Sequence, residues 1–169
     1  VGTMRERVER MSIAANTRGL FGPIPEAVEE SLERKHLVRA INLSKLDLLT
    51  HMVGEFPELQ GIMGGIYAHV PGASDSEEKV VCEAVSEHYL PRAVDGKLPG
   101  TRLGAMLSIL DKADLLASCF LIGKKPSASQ DPYALKRALT GIFRMSVHYS
   151  LDISWDRLAS VLFDDMAKQ

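Results

Sequence analysis

A cluster of basic side chains in residues 124–144 has the composition and spacing to bind phosphate. Its members lie in a polar loop and in the helical pattern that follows, and they are Lys124, Lys125, Lys136, Arg137 and Arg144. Arg137 and Arg144 are seven residues apart and therefore share one helix face. Guanidinium and ammonium groups beside free loop amides can hold a phosphate group. The alternative is a solvated helix face on which Asp131 serves only as an N-cap.

Two carboxylates, Asp111 and Asp114, stand three residues apart in another helical pattern. This spacing places both on one helix face, where they could offer two oxygen ligands to a hard cation. The alternative is a buried polar network in which Lys112 and nearby cations balance the two negative charges. The pattern leaves both interpretations open.

The histidines and cysteines form no recognisable catalytic or metal-binding motif. The five histidines are His36, His51, His69, His88 and His148, and none belongs to an HExxH motif or a His-Asp pair. Cys82 and Cys119 lie in apolar helical patterns without a CxxC pair or a histidine at ligand spacing. We therefore expect reduced core cysteines, no metal site and no catalytic residue.

The bulk properties indicate a single domain of slightly negative charge. With 169 residues and a net charge of -2, the chain can build a sizeable core but cannot attract nucleic acid by its overall field. Any contact with phosphate must use a local basic patch. No apolar run is long enough for a membrane span, so we expect a soluble, cytoplasmic protein without a membrane partner. The start at Val1, directly before a helical pattern, suggests a piece of a longer polypeptide.

The elements that must position these residues are predicted to be helices throughout. Apolar residues recur three and four positions apart, and no strand-like alternation is sustained, so the sequence predicts an all-α fold. A first helix is expected at about residues 2–18. A second helical region has Pro25 in its first turn and runs to Gly54, with a possible break before His36.

Capping residues mark the later helices. Their expected starts are a capping box at Ser74, an N-cap at Thr101, Asp131 followed by a first-turn Pro132, and Ser154. The helix that begins after Thr101 should end at Gly123, because glycine readily takes the left-handed conformation that closes a helix.

Between these helices lies MVGEFPELQGIMGG, residues 52–65, in which apolar side chains alternate with glycines and a proline. We expect Gly54 to end a helix in the left-handed conformation and Pro57 to open the next one. Gly61 and Gly64, one helical turn apart, should allow close packing. The sequence therefore predicts a structural corner at these four residues.

This corner also resembles a known protein family. Residues 45–64 read K-x-D-L-x-T-x-M-V-x-E-F-P-E-L-Q-G-x-M-G, which closely resembles the signature of the β subunit of bacterial tetrameric glycyl-tRNA synthetase. EHYLPR (87–92), DKADLL (111–116) and DPYALKRALTGIFR (131–144) follow in the family's order and spacing. The family prefers Phe and Arg where this chain has Tyr133 and Lys136. The resemblance covers nearly the whole chain.

The resemblance implies a fold and a role. Residues 1–169 would form one HD-like bundle of about six to seven helices from the middle of a longer β subunit. In that family the α subunit makes glycyl-adenylate from glycine and ATP, and the β subunit supplies tRNA recognition. The implied partners are tRNA-Gly, the α subunit and the rest of the β subunit.

The implied role of this piece is to hold tRNA on its acceptor side. We expect the basic cluster to make the phosphate contacts, with Arg92 of EHYLPR as a weaker candidate. No cofactor is expected in the piece itself, whereas the complete enzyme uses ATP and Mg. A purely structural role between domains or subunits is the alternative.

An HD-like fold also raises the hypothesis of a metal-dependent phosphohydrolase. Active HD enzymes hold a divalent metal with an early histidine, a His-Asp dipeptide and a later aspartate. If AINLSKLDLL occupies the place of the dipeptide, Lys45 stands where the metal should lie, and only Asp111 remains. The resemblance therefore implies a vestigial pocket without metal or catalysis. Its expected members are Lys45, Asp47, Asp111 and Asp114.

Overall fold

The computed structural model describes residues 2–22, 28–69, 75–124, 126 and 131–166. These residues form helices and no strand, so the predicted all-α class is confirmed. The α-helices of the described ranges are α1 (Met4–Asn16), α2 (Val28–Leu43), α3 (His51–Glu55), α4 (Ile62–Ala68), α5 (Asp75–Glu87), α6 (Arg102–Leu121), α7 (Leu135–His148) and α8 (Trp155–Met166). Two short 3-10 helices, Leu46–Leu49 and Pro57–Leu59, flank α3. None of the described helices is long and apolar enough to cross a membrane.

Helix α6 forms the centre of the fold because its sequence is apolar on almost every side. All residues from 103 to 114 are buried, and α1, α2, α5, α7 and α8 pack against this helix. At its start, the Thr101 side chain accepts a hydrogen bond of 3.0 Å from the Gly104 N–H, as predicted. Gly123 follows the last turn with a φ of 72°, which agrees with the predicted end.

Helix α7 shows how an outer helix is held against this centre. Leu135, Ala138, Ile142 and Met145 are buried and recur at helical spacing. Burying one large aliphatic side chain contributes about 1.5–3 kcal/mol, so this stripe fixes the rotation of the helix. The orientation leaves Arg137, which lies between two of the buried positions, exposed on the surface.

The second helical region departs from its prediction. Helix α2 is continuous through His36, so the expected break there is wrong, and it ends at Leu43 instead of reaching Gly54. Lys45 has non-helical backbone angles, and a 3-10 helix and the short α3 follow. The split raises the number of α-helices in the described ranges to eight, more than the six to seven expected.

The corner at residues 52–65 uses its glycines differently from the prediction. Gly54 lies inside α3 without a positive φ, so its predicted role as a left-handed helix end is wrong. Pro57 does open a short helix, but of the 3-10 type. Gly61 has a φ of 83°, and a side chain there would lie 2.8 Å from the Ser86 carbonyl oxygen. The left-handed turn therefore falls at Gly61, where α4 approaches α5.

The start of α7 also differs in detail. Ala134, with a φ of 54°, is the residue before the helix, so Pro132 precedes the first turn instead of lying in it. Asp131 still caps the helix, because its carboxylate accepts hydrogen bonds from the N–H groups of Leu135 and Lys136. Helix α8 begins directly after Ser154, as predicted.

Three residues named in the sequence predictions, Pro25, Ser74 and Lys125, lie outside the described residues. The likeness to an HD domain and the extent of the domain, residues 1–169, stay predictions.

Candidate functional site

A buried group of paired charges lies where α1 and the turn after α2 meet α6. Lys45 Nζ is 2.8 Å from Asp111 Oδ1, and Arg7 NH2 is 3.0 Å from the same oxygen. Arg10 forms a two-point contact with Asp114, with N···O distances of 2.7 and 3.2 Å. We call these five residues the charge cluster. Its three cations and two anions leave a small positive excess.

His88 and Tyr89, which directly follow α5, complete the surroundings of Lys45. The Lys45 ammonium donates to His88 Nε2 at 2.8 Å and lies 4.1 Å from the centre of the Tyr89 ring. His88 Nδ1 is 2.6 Å from the Val85 carbonyl oxygen, so this nitrogen carries the ring proton. Burial, together with the charge of Lys45, lowers the pKa of His88 to about 3. The imidazole is therefore neutral near pH 7 and acts as an acceptor for Lys45.

Burial and pairing act in opposite directions on the charge cluster. Burial alone would raise the pKa of Asp111, but Lys45 and Arg7 outweigh it and hold this pKa below its usual value. Burial lowers the pKa of Lys45, and the neighbouring Asp111 offsets part of that shift. The pair is stable in its charged form because each member supplies the charge that the other needs.

The hard-cation interpretation of Asp111 and Asp114 does not fit this geometry. The Asp111 oxygen that could bind a metal faces Lys45 and Arg7, and Asp114 is held by Arg10. The cations that contact the two aspartates come from α1 and the turn after α2, which agrees with the alternative of a buried polar network balanced by nearby cations. The residues present do not fit the metal of an HD phosphohydrolase.

Lys112 instead reaches the segment that follows α5. Its ammonium donates to the Leu90 carbonyl oxygen at 2.9 Å and to Ser108 Oγ at 2.7 Å. Burial lowers the pKa of Lys112 to about 8, opposed by Asp111 and reinforced by the charge of Lys45 and other cations. Near neutral pH this lysine is thus a buried cation, and no carboxylate among the described residues is bonded to it.

A cleft of about 420 Å³ opens beside the charge cluster. Among the residues that the structure describes, its charged lining consists of Arg7, Lys45, Arg92, Lys112 and Arg137 with Asp111 as the acid. Asp111 is already paired, so cations dominate the field inside the cleft. We call this feature the basic cleft. A concave site with an excess of positive charge and donor groups favours an anion.

The predicted phosphate-binding residues are divided by the structure. Arg92 and Arg137 line the basic cleft, whereas Lys124 and Lys136 are exposed and do not line it. Arg144 turns away and donates to the carbonyl oxygens of Val94 and Gly96, which ties down a loop. Lys125 lies outside the described residues.

Arg92 has a second task at the corner. Its guanidinium donates to the carbonyl oxygens of Glu58 and Gln60 at 3.2 and 2.6 Å. Asp47, expected in the vestigial pocket, also serves the corner, because it is fully buried and accepts a hydrogen bond of 2.7 Å from the Gly61 N–H. It does not line the basic cleft. Arg92, which lines the basic cleft, thus connects the corner to it through these hydrogen bonds.

Sequence reasoning missed Arg7, Arg10 and His88. The two arginines stand three residues apart, next to Val8 and Met11, and this mixture of charge with an apolar face was the available signal. Their partners on α6 are about a hundred residues away in sequence. Only the packing of α1 on α6 reveals that these arginines are buried.

The fold and the site together define a class: an all-α module with a cation-lined cleft beside internally paired charges. A family profile described as "Glycyl-tRNA synthetase beta subunit" matches residues 1–169. The glycine–tRNA ligase beta subunit of Streptococcus equi subsp. zooepidemicus (strain H70) is 42% identical over 164 residues. That of Streptococcus pyogenes serotype M3 (strain MGAS315) is 44% identical over 165 residues.

The chain belongs to the glycyl-tRNA synthetase β subunit family. Each of the two alignments covers 97% of this chain, and the chain spans 23% of the length of either relative.

Proposed function

We propose that this chain is the tRNA-binding and scaffolding module of a glycine–tRNA ligase β subunit. It would support the aminoacylation of tRNA-Gly with glycine and ATP by an α2β2 enzyme in the cytoplasm. Its partners would be tRNA-Gly, the α subunit and the rest of the β subunit. ATP and Mg would act elsewhere in that enzyme. Support for the enzyme comes from the names of the relatives, and support for the RNA comes from the basic cleft.

The basic cleft is the observation that carries this proposal. The whole chain has a net charge of -2, yet cations gather around one concavity. Arg137, which is exposed, and Lys112, which is buried, both line it. A local excess of donors with positive charge is the feature that phosphate groups of RNA require.

An aromatic ring adds a second feature of an RNA-binding surface. Tyr133 lines the basic cleft and is 47% exposed. Exposed aromatic rings can stack on unpaired bases, with a contribution of about 1–3 kcal/mol per base. A single-stranded end or loop of tRNA would therefore fit the cleft better than a regular RNA helix would.

The proposal is tested by titrating labelled tRNA-Gly with the chain at two salt concentrations. We expect Arg137→Ala to weaken binding several-fold and to reduce the salt slope by about one unit, because one phosphate contact is lost. Lys79→Ala is the matched control, since Lys79 is an exposed lysine of α5 that does not line the cleft. Equal losses of tRNA affinity in both variants would indicate that tRNA binds to positive charge spread over the surface. This result would refute the assignment of the cleft as the binding site.

A structural role between domains is the second candidate, and one observation favours it. Leu49, Phe56 and Ile66 are 84%, 50% and 58% exposed, all on the segment that contains the corner. Exposed apolar side chains grouped in this way are typical of a docking surface. Two results together would favour this role over tRNA binding. The chain would show no detectable tRNA binding at low salt, and it would associate with the α subunit in a way that Leu49→Asp weakens.

A further inference from the structure

His69, Glu78 and Cys82 come together where α4 meets α5. His69 directly follows α4, and Glu78 and Cys82 stand one turn apart on α5. One imidazole nitrogen, one carboxylate oxygen and the thiol sulfur all lie within 4.8 Å of one another. The His69 Nδ1 to Glu78 Oε1 distance is 3.8 Å. We call these three residues the ligand cluster.

The backbone holds the ligand cluster in place. Gly65 of α4 lies against α5, and a side chain there would come within 2.6 Å of the Cys82 carbonyl oxygen. Only glycine allows this approach, which brings the end of α4 beside the first turns of α5. Glu78 and Cys82 stand on α5, and His69 directly follows α4, which packs against α5. A site built on packed helices needs little rearrangement to bind.

The burial of the cluster is graded from floor to rim. Glu78 is only 4% exposed, and the His69 side chain is 63% exposed. Cys82 is half-buried, so the expectation that it lies in the core is wrong, whereas Cys119 is buried as expected. A carboxylate at such depth gains from a nearby positive charge. The exposed imidazole can turn to shorten its distance from the other two donors. A ligand set with a buried acid and a movable histidine can therefore close around a small ion.

We propose that the ligand cluster binds one divalent transition-metal ion of the zinc type. A mixed set of nitrogen, oxygen and sulfur donors suits Zn²⁺ or Co²⁺, whereas Mg²⁺ and Ca²⁺ prefer oxygen alone. With metal–ligand bonds of about 2.0–2.3 Å, tetrahedral donors stand roughly 3.3–3.8 Å apart. The His69 Nδ1 to Glu78 Oε1 distance is 3.8 Å, and all three ligand atoms lie within 4.8 Å of one another. On binding, the Cys82 S–H bond breaks, the sulfur–metal bond forms, and the proton passes to solvent.

The fourth position of this ion would remain open. A cavity of about 710 Å³ adjoins the ligand cluster and is also lined by Ser86 and Thr101. A protein that supplies three ligands leaves room for water or a ligand group at the fourth position. The site is separate from the basic cleft, with which it shares no lining residue among those described.

Titration of the reduced chain with Co²⁺ tests this inference, because a Co²⁺–thiolate bond produces a charge-transfer absorption. We expect one Co²⁺ per chain with this absorption, and displacement of Co²⁺ by Zn²⁺ but not by Mg²⁺. Cys82→Ser should abolish the absorption. Cys119→Ser is the matched control and should keep it, since Cys119 is a buried cysteine outside the cluster.

A second pair of variants tests the histidine without disturbing the core. His69→Ala should weaken Zn²⁺ binding by at least the roughly tenfold to hundredfold loss that outer-shell partners cause. His51→Ala, at another exposed histidine, should have no effect. Absence of the thiolate absorption in the parent chain would overturn the site. So would equal Zn²⁺ affinity in the parent and His69→Ala, which would indicate that His69 and Glu78 form only an ion pair.

Discussion

Neutralising Asp111 should destabilise the fold, because it leaves the buried cations beside it without their negative partner. Asp111→Asn keeps the size of the side chain but removes the charge that faces Lys45 at 2.8 Å and Arg7 at 3.0 Å. Lys45 is 5% exposed, so water cannot replace the lost partner. Removing one member of a buried pair costs about 3–5 kcal/mol. We expect about 3 kcal/mol, at the lower end, because Lys45 keeps His88 and Arg7 keeps Asp114.

Urea unfolding, followed by the single tryptophan, Trp155, and by helical circular dichroism, measures this loss. Lys45→Met in the Asp111→Asn background removes the unpaired ammonium, so the double variant should be more stable than the sum of the single changes predicts. Glu9→Gln, which breaks an exposed pair with Arg5, should leave the midpoint nearly unchanged. Strict additivity of the two changes, or an effect of Asp111→Asn no larger than that of the control, would refute a tightly coupled buried pair.

Three further predictions follow from the site and the corner. The fold lowers the pKa of Lys112 to about 8, and phosphate favours the charged form of this lysine. The affinity for tRNA should therefore fall as pH rises through about 8. Titrations from about pH 7 to pH 9 should show this fall in the parent chain but not in Lys112→Arg. Gly65→Ala should destabilise the chain by about 1–3 kcal/mol because its new methyl group meets α5, whereas Gly54→Ala, with no atom within 4 Å, should be neutral or stabilising in the same urea assay. Arg144→Ala should increase amide hydrogen exchange in residues 93–96 but weaken tRNA binding less than the loss of a cleft arginine does.

The sequence predicts those parts of the fold that local interactions decide. The Thr101 cap and the start of α8 after Ser154 depend on residues within one helical turn, and both were foreseen. Gly54 shows the limit of that reasoning. Its neighbours permit either a helix end or a helix interior, and the packing of the corner selects the interior. The left-handed turn falls at Gly61 because α5 approaches there.

The site was less predictable because its contacts join distant parts of the chain. The pairing of Lys45 with Asp111 was expected from the family resemblance and is present, but the sequence alone did not imply it. Arg7 and Arg10 had no predicted role in the site, although both contact α6. No spacing rule relates residues that far apart, so only the fold could show that α1 supplies the balancing charges.

The charge cluster and the basic cleft together explain how a chain with a net charge of -2 can present a concave surface lined mainly by cations. Oδ1 of Asp111 faces Lys45 and Arg7, and Asp114 is held by Arg10, so the two aspartates should repel an approaching phosphate less than free carboxylates would. Lys112 and Arg137, which have no carboxylate bonded to them among the described residues, then set the sign of the field in the cleft. Internal pairing thus does more than stabilise α6. It also offsets the negative charge that would otherwise oppose the RNA that we propose to bind at this site.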